Sequence, residues 1–221
     1  DSKLIKYIVN YLQSIEPSFA GRITFKERLE GFDAIIATGS DNSARYFEYY
    51  FGKYPNIIRK NRTSCAILTG EESNQDIEKL GVDIFSYFGL GCRNVSKLYV
   101  PNDYDFVILL SRLESFKDII HHHKYCNNYD YQKSILLVNG VKHLDNGFVL
   151  LQENEKLVSP ISVLYYERYT DESELKNKLK ANAERIQCVV GKEKPASIPF
   201  GQAQYPNVWD YADQIDTLKF L

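Results

Sequence analysis

The sequence contains no methionine, a single tryptophan and no Cys-x-x-Cys pair. Its four cysteines, Cys65, Cys92, Cys126 and Cys188, stand far apart. That spacing argues against a zinc ribbon or a thioredoxin-type redox site. A chain of 221 residues can also bury a core without disulfide staples. The cysteines therefore read as reduced thiols of a cytoplasmic protein. No apolar run approaches the roughly 18 residues of a membrane span. A net charge of -2 leaves neither the basic surplus nor the basic stripe that nucleic acid calls for. No carboxylate stands at His-Glu-x-x-His spacing. The run His121-His122-His123 would fan its rings about 100° apart on a helix, so it reads as a polar helix end and no metal is expected. The chain opens at Asp1, and its first stretch reads like the interior of a domain. The expectation is of a longer protein whose N-terminal part lies outside this sequence.

What is present is an alternation of strand and helix signals. Leu4, Ile5, Ile8, Val9 and Leu12 fall on one helical face, and Glu16-Pro17-Ser18 ends that helix. Phe32–Ala37 reads as a buried strand that turns through Thr38-Gly39-Ser40 into a helix from about Asn42 to Phe51. Cys65–Leu68 is the next strand. Ser73 with Asp76 three residues on marks a helix start, and that helix is expected to bury Ile77, Leu80, Ile84, Phe85 and Phe88. Ser96–Val100 is a strand closed by Pro101. Further on, 106–124 and 171–182 read as helices, and 134–138, 147–151, 161–166 and 186–190 as strands. The scheme predicts an α/β fold with a largely parallel sheet. A polar hinge at Arg59-Lys60-Asn61-Arg62 separates residues 1–62 from 63–191, and a turn-rich tail occupies 192–221.

The segment Phe88-Gly89-Leu90-Gly91-Cys92-Arg93-Asn94-Val95-Ser96-Lys97 carries the most chemistry. A helix ends in glycines, a cysteine follows, and a strand begins. Glycines 89 and 91 allow a sharp bend and a close approach by substrate. Arg93 and Lys97 would favour the reactive thiolate. On these residues alone, Cys92 is either a structural thiol beside a tight turn or an exposed nucleophile. The basic stretch Lys53–Arg62 is either a solvated connection or a contact for phosphates. His143 beside Asp145 reads as loop structure rather than an acid–base pair, and the aromatic run Tyr125–Tyr131 as packing or subunit contact.

This segment resembles the nucleophile loop of the aldehyde dehydrogenase superfamily, with Ser96-Lys97 four and five residues beyond the cysteine. Three further segments agree in order: Ala37-Thr38-Gly39-Ser40, Ser159-Pro160-Ile161 and Pro199-Phe200-Gly201. The phrases Phe-Gly-Leu-Gly-Cys-Arg-Asn-Val-Ser-Lys (88–97), His-Leu-Asp-Asn-Gly-Phe (143–148) and Trp-Asp-Tyr-Ala-Asp (209–213) are similar to the LuxC-type fatty acyl-CoA reductases. The resemblance covers nearly the whole chain but only the later part of the family's length.

It implies an aldehyde-dehydrogenase-like fold. Residues 1–62 would be part of a Rossmann-like dinucleotide domain, 63–191 the domain bearing the cysteine, and 192–221 a segment returning to the cofactor or oligomerisation region. It implies Cys92 as catalytic nucleophile, Thr38, Gly39, Ser40, Glu155 and Pro160 beside a bound NADPH or NADH, and Gly91, Arg93, Phe200 and Gly201 near the substrate and its oxyanion. The substrate would be an acyl-CoA thioester. A homodimer, and an acyl-protein synthetase or thioesterase partner, would follow from the same likeness. Arg59 falls where aldehyde-oxidising relatives carry a glutamate base, and Lys156 and Val158 replace the glutamate and phenylalanine of the cofactor loop. The loss of a base that activates water suits a reductase, which must keep its thioester from hydrolysis. The alternatives are a non-catalytic module that keeps the fold, and an aldehyde-oxidising dehydrogenase.

Overall fold

The computed structural model describes residues 2–221. Helix α1 (Ser2–Ile15) comes first, followed by a single 3-10 turn at Pro17–Phe19. Strand β1 (Ile35–Thr38) pairs in parallel with β2 (Asn56–Arg59), and α2 (Asp41–Phe51) connects them. The larger unit is a six-stranded sheet built from β3 (Thr63–Ile67), β4 (Val95–Pro101), β5 (Leu144–Asp145), β6 (Leu150–Glu153), β7 (Val163–Tyr169) and β8 (Ile186–Val190). Its spatial order is β5-β6-β7-β4-β3-β8, and every pairing but β5 with β6 is parallel. Helices α3 (Asn74–Phe85), α4 (Phe106–Arg112), α5 (His123–Val138) and α6 (Glu172–Ala181) cover it, and a short α7 (Thr217–Phe220) ends the chain.

A parallel sheet needs both faces covered, and the central strands show it. All five residues of β3 are buried. One face packs Ala66, Leu98, Val100 and Leu164 against Ile77, Leu80, Ile84 and Leu109. The other sets Cys65, Ile67 and Tyr99 against Leu175. Lys97 points into this second layer and is 1% exposed. Its ammonium donates to the Glu167 carboxylate and to the carbonyls of Asn154 (3.1 Å) and Glu155 (2.9 Å).

Several expected elements fall elsewhere. Residues 134–138 are not a strand but the last turns of α5, which closes in a Schellman motif: Gly140 N–H donates to Leu137 O, and Val141 N–H to Leu136 O. Asn139-Gly140 was the helix stop, with Gly140 at φ 63°. The single helix expected over 106–124 divides into α4 and a 3-10 stretch, Leu113–His121, before α5 begins. Strand β2 lies inside the stretch read as a connection, with Ile57 buried. Phe88 leaves the helix that was expected to bury it.

Candidate active site

Cys92 lies on the loop between α3 and β4, at the amino ends of the parallel strands, and its side chain is exposed. Cys65 and Cys188 are free and buried, and Cys126 is free and partly buried. Burial pushes the Cys65 thiol up to about 12. It also pushes Cys188 up, against a hydrogen bond with Ser64 and the nearby charge of Arg93. Burial closes off these two thiols, whereas the Cys92 side chain is open to solvent.

The loop is fastened to β3 and to the segment around Ala203. Ser64 in β3 donates to the Cys92 carbonyl at 3.1 Å, and its N–H donates to the Asn94 carbonyl at 3.2 Å. Arg93 donates to the carbonyl of Ala203 at 3.0 Å, which ties the loop to the Pro199-Phe200-Gly201 segment. That segment is held from α3 by Asp83. Its carboxylate, wholly buried, accepts from Gly201 N–H at 2.6 Å and Ala203 N–H at 3.0 Å. Desolvation pushes the Asp83 carboxyl up to about 6, against those two hydrogen bonds. Among the described residues, the Cys92 N–H has no protein acceptor, which leaves it available to an oxyanion.

The structure brings some expected site residues together and separates others. Cys92, Gly91 and Arg93 share the loop, and Gly201 stands two residues from the carbonyl that Arg93 grips. Phe200 is buried in the core layer with Leu80 and Ile84 rather than lining a cleft. Lys97 serves Glu167 and two carbonyls across the sheet, so the thought that its charge favours the Cys92 thiolate is corrected. Strand alternation puts position 97 on the face of Tyr99, opposite Leu98 and Val100. Gly89 has φ 74°, as a sharp bend requires, whereas Gly91 takes no such angle and is needed because a Cβ there would lie 2.9 Å from Asn94 Oδ1.

Thr38, Gly39 and Ser40 form the turn from β1 into α2. Ser40 caps the helix through Ser43 N–H, and a Cβ on Gly39 would come within 2.6 Å of Ser43 Cβ. Pro160 lines a narrow cleft with Phe88, Gly89 and Ser96, beside the Cys92 loop. Glu155 is exposed and offers its carbonyl to Lys97. A broader cleft of about 1320 Å³ runs past Arg93, Cys188, Gln202, Tyr205 and Trp209. Arg59 and Arg62 both pair with Asp213, at 3.6 and 3.5 Å, and Arg59 reaches Thr217 at 3.4 Å. Both guanidinium groups are thus paired within the chain and mostly shielded from solvent. His143 bonds to the Val141 carbonyl, while Asp145 accepts from Tyr129 and pairs with Lys133, so the two form no pair. Tyr125 and Tyr129 are buried, and Tyr131 is exposed. Asn94 and Asp83 were not singled out in the sequence. A polar residue two places beyond the cysteine and a lone acid in an apolar helix face were the available signals.

This arrangement has the aldehyde-dehydrogenase-like α/β fold. An NAD-dependent aldehyde dehydrogenase from Sinorhizobium meliloti superposes with a TM-score of 0.53 at 11% identity, over 73% of this chain and 39% of its own. An aldehyde dehydrogenase from Brucella melitensis biovar abortus 2308 gives 0.52 at 10%, over 73% and 40%. A mutant of the indole-3-acetaldehyde dehydrogenase AldA of P. syringae, in complex with NAD+ and IAA, gives 0.51 at 13%, over 73% and 40%. The chain thus spans about two fifths of the length of these structures. No protein-family model matches it, and no curated protein matches it in sequence.

Proposed function

We propose that the protein is an NAD(P)H-dependent acyl-CoA reductase that carries its acyl group on Cys92. The observation that carries this reading is an exposed thiol on a loop pinned between α3 and β4 of an aldehyde-dehydrogenase-like fold, with a backbone N–H free beside it. The Cys92 thiolate attacks the thioester carbonyl, the carbon–sulfur bond to CoA breaks, and CoA leaves as a thiolate that takes up a proton. The Cys92 N–H stabilises the oxyanion during attack, and loss of one such donor costs about 10²–10³ in rate. The hydride that converts the acyl group to an aldehyde is the chemistry a bound NADPH or NADH supplies. Thr38, Gly39 and Ser40 suit a dinucleotide: the turn is too tight for any residue but glycine at 39, and it presents the first N–H groups of α2. Pro160 and Glu155 would complete that contact from the loop after β6.

Arg59 supports reduction over hydrolysis. By the resemblance it falls where oxidising relatives carry their base, and a guanidinium, which stays protonated and accepts no hydrogen bond, cannot activate water. The test is NAD(P)H oxidation driven by an acyl-CoA, with intact-mass detection of the acylated protein. Cys92→Ala is expected to abolish both, a loss of at least 10³ in rate. Full activity in that variant removes Cys92 from the mechanism. Net production of carboxylic acid instead of aldehyde would assign the site to oxidation.

A further inference from the structure

One buried side chain ties the Cys92 loop to the end of α3. Asn94 is 1% exposed. Its Oδ1 accepts from Gly91 N–H at 2.8 Å, and its own N–H donates to the Gly91 carbonyl at 3.0 Å. Its Nδ2 faces the carbonyls of Asp83 (3.1 Å), Ile84 (3.2 Å) and Ser86 (2.8 Å). Those carbonyls belong to the end of α3, where a helix leaves its last acceptors unpaired. An amide has two hydrogens and one acceptor oxygen, so the Asn94 side chain is fully engaged. Between Ser86 and the cysteine the backbone turns left-handed at Tyr87 (φ 53°), Phe88 (φ 61°) and Gly89 (φ 74°). Left-handed geometry is strained for a non-glycine residue and persists where the surroundings impose it. Asn94 imposes it from one side. The Phe88 ring, stacked on His122 with centroids 3.9 Å apart, does so from the other.

We propose that Asn94 is a positioning residue for Cys92: its amide binds the end of α3 to Gly91 and so sets the direction of the thiol and of the neighbouring N–H. This rests on Cys92 being the nucleophile. The role needs a donor and an acceptor on one short side chain. An alanine leaves the Gly91 N–H and three carbonyls without their partner. An aspartate keeps the acceptor but turns a negative oxygen toward the carbonyls. Burial raises the proton affinity of such a carboxyl, and once protonated it donates again.

The discriminating variant is therefore Asn94→Asp. Its rate of acylation by an acyl-CoA, without nicotinamide cofactor, is followed by intact mass and taken as a ratio to wild type at each pH. Alkylation of Cys92 by iodoacetamide is followed in parallel. At pH 8 the acylation ratio is expected to fall about 10²-fold, the scale of a misplacement of about 1 Å, while alkylation by a reagent that needs no oriented N–H changes less than about threefold. As pH falls toward 5, the ratio is expected to recover at least tenfold as the carboxyl of the Asn94→Asp variant takes up a proton. Wild-type acylation at pH 8 overturns the proposal, as does a loss that acidification leaves unchanged, which marks a purely structural role. Wild-type protein that never becomes acylated, with turnover surviving in Cys92→Ala, fells the nucleophile assignment instead. In that case faster hydrogen exchange at Gly91 N–H in Asn94→Asp still reads the clamp on its own.

Discussion

Residues 2–60 and the six-stranded unit that follows are built to different standards. Among the described residues of the first region only Ile35, Ala44 and Ile57 are buried, and Leu4, Ile5, Ile8, Tyr11 and Ile15 along α1 remain more than half exposed. In the second, β3 and β4 are sealed on both faces, and even a lysine is drawn inside. The contrast separates two things that a hydrophobic pattern conveys together. A helical repeat says that a segment coils with an apolar stripe; it does not say that anything lies against the stripe. The proposed nucleophile sits on the densely packed unit, which suits it, because a nucleophile must be held still by a rigid surround.

The largest test of that contrast is Lys97→Met. The substitution keeps the bulk but leaves the carbonyls of Asn154 and Glu155 unpartnered and Glu167 with Lys178 alone. A loss of about 3 kcal/mol in chemical denaturation is expected; a loss under about 1 kcal/mol would mean that the buried lysine does not organise the sheet.

A smaller effect concerns Asp83. Its folded-state carboxyl titrates near 6, above the ordinary 3.8, because it is desolvated. A raised acid favours the folded state fully below 3.8 and loses that contribution as pH rises through 6. Melting temperatures of wild type and Asp83→Asn, compared at pH 7 and pH 5, are expected to shift in favour of wild type on acidification. A difference that stays constant would show the two N–H donors holding the carboxylate ionised throughout.

The smallest effect belongs to α1. Ile8→Ser, at a position 53% exposed, is expected to change stability by no more than about 0.5 kcal/mol. A larger loss would mean that the stripe has a cover in solution.

Much of this fold was legible from local rules. Ser73 and Asp76 announced α3 and do form a reciprocal cap, and the strands expected at 65–68 and 186–190 are observed at 63–67 and 186–190. Leu136-Leu137-Val138 misled because a short apolar run looks alike at a helix end and in a buried strand; Asn139-Gly140 held the answer. Strand β2 was hidden by its charged neighbours, whose partner Asp213 lies more than 150 residues away in sequence. The candidate site divided in the same way. Cys92 stood out as a candidate because a thiol directly after two closely spaced glycines, Gly89 and Gly91, is conspicuous. Asn94, Asp83 and the true employment of Lys97 did not, since each depends on which backbone groups the folded chain leaves unpaired.

The Cys92 loop occupies the amino rim of the sheet, whereas open parallel sheets commonly place their ligands beyond the carboxyl rim. The seven residues of β4 separate that loop from the exposed turn at Asn102-Asp103 by roughly 20 Å. A fluorescent reporter, an affinity handle or a whole guest domain grafted at Asn102-Asp103 would therefore ride on the far side of the molecule, leaving the thiol's surroundings untouched.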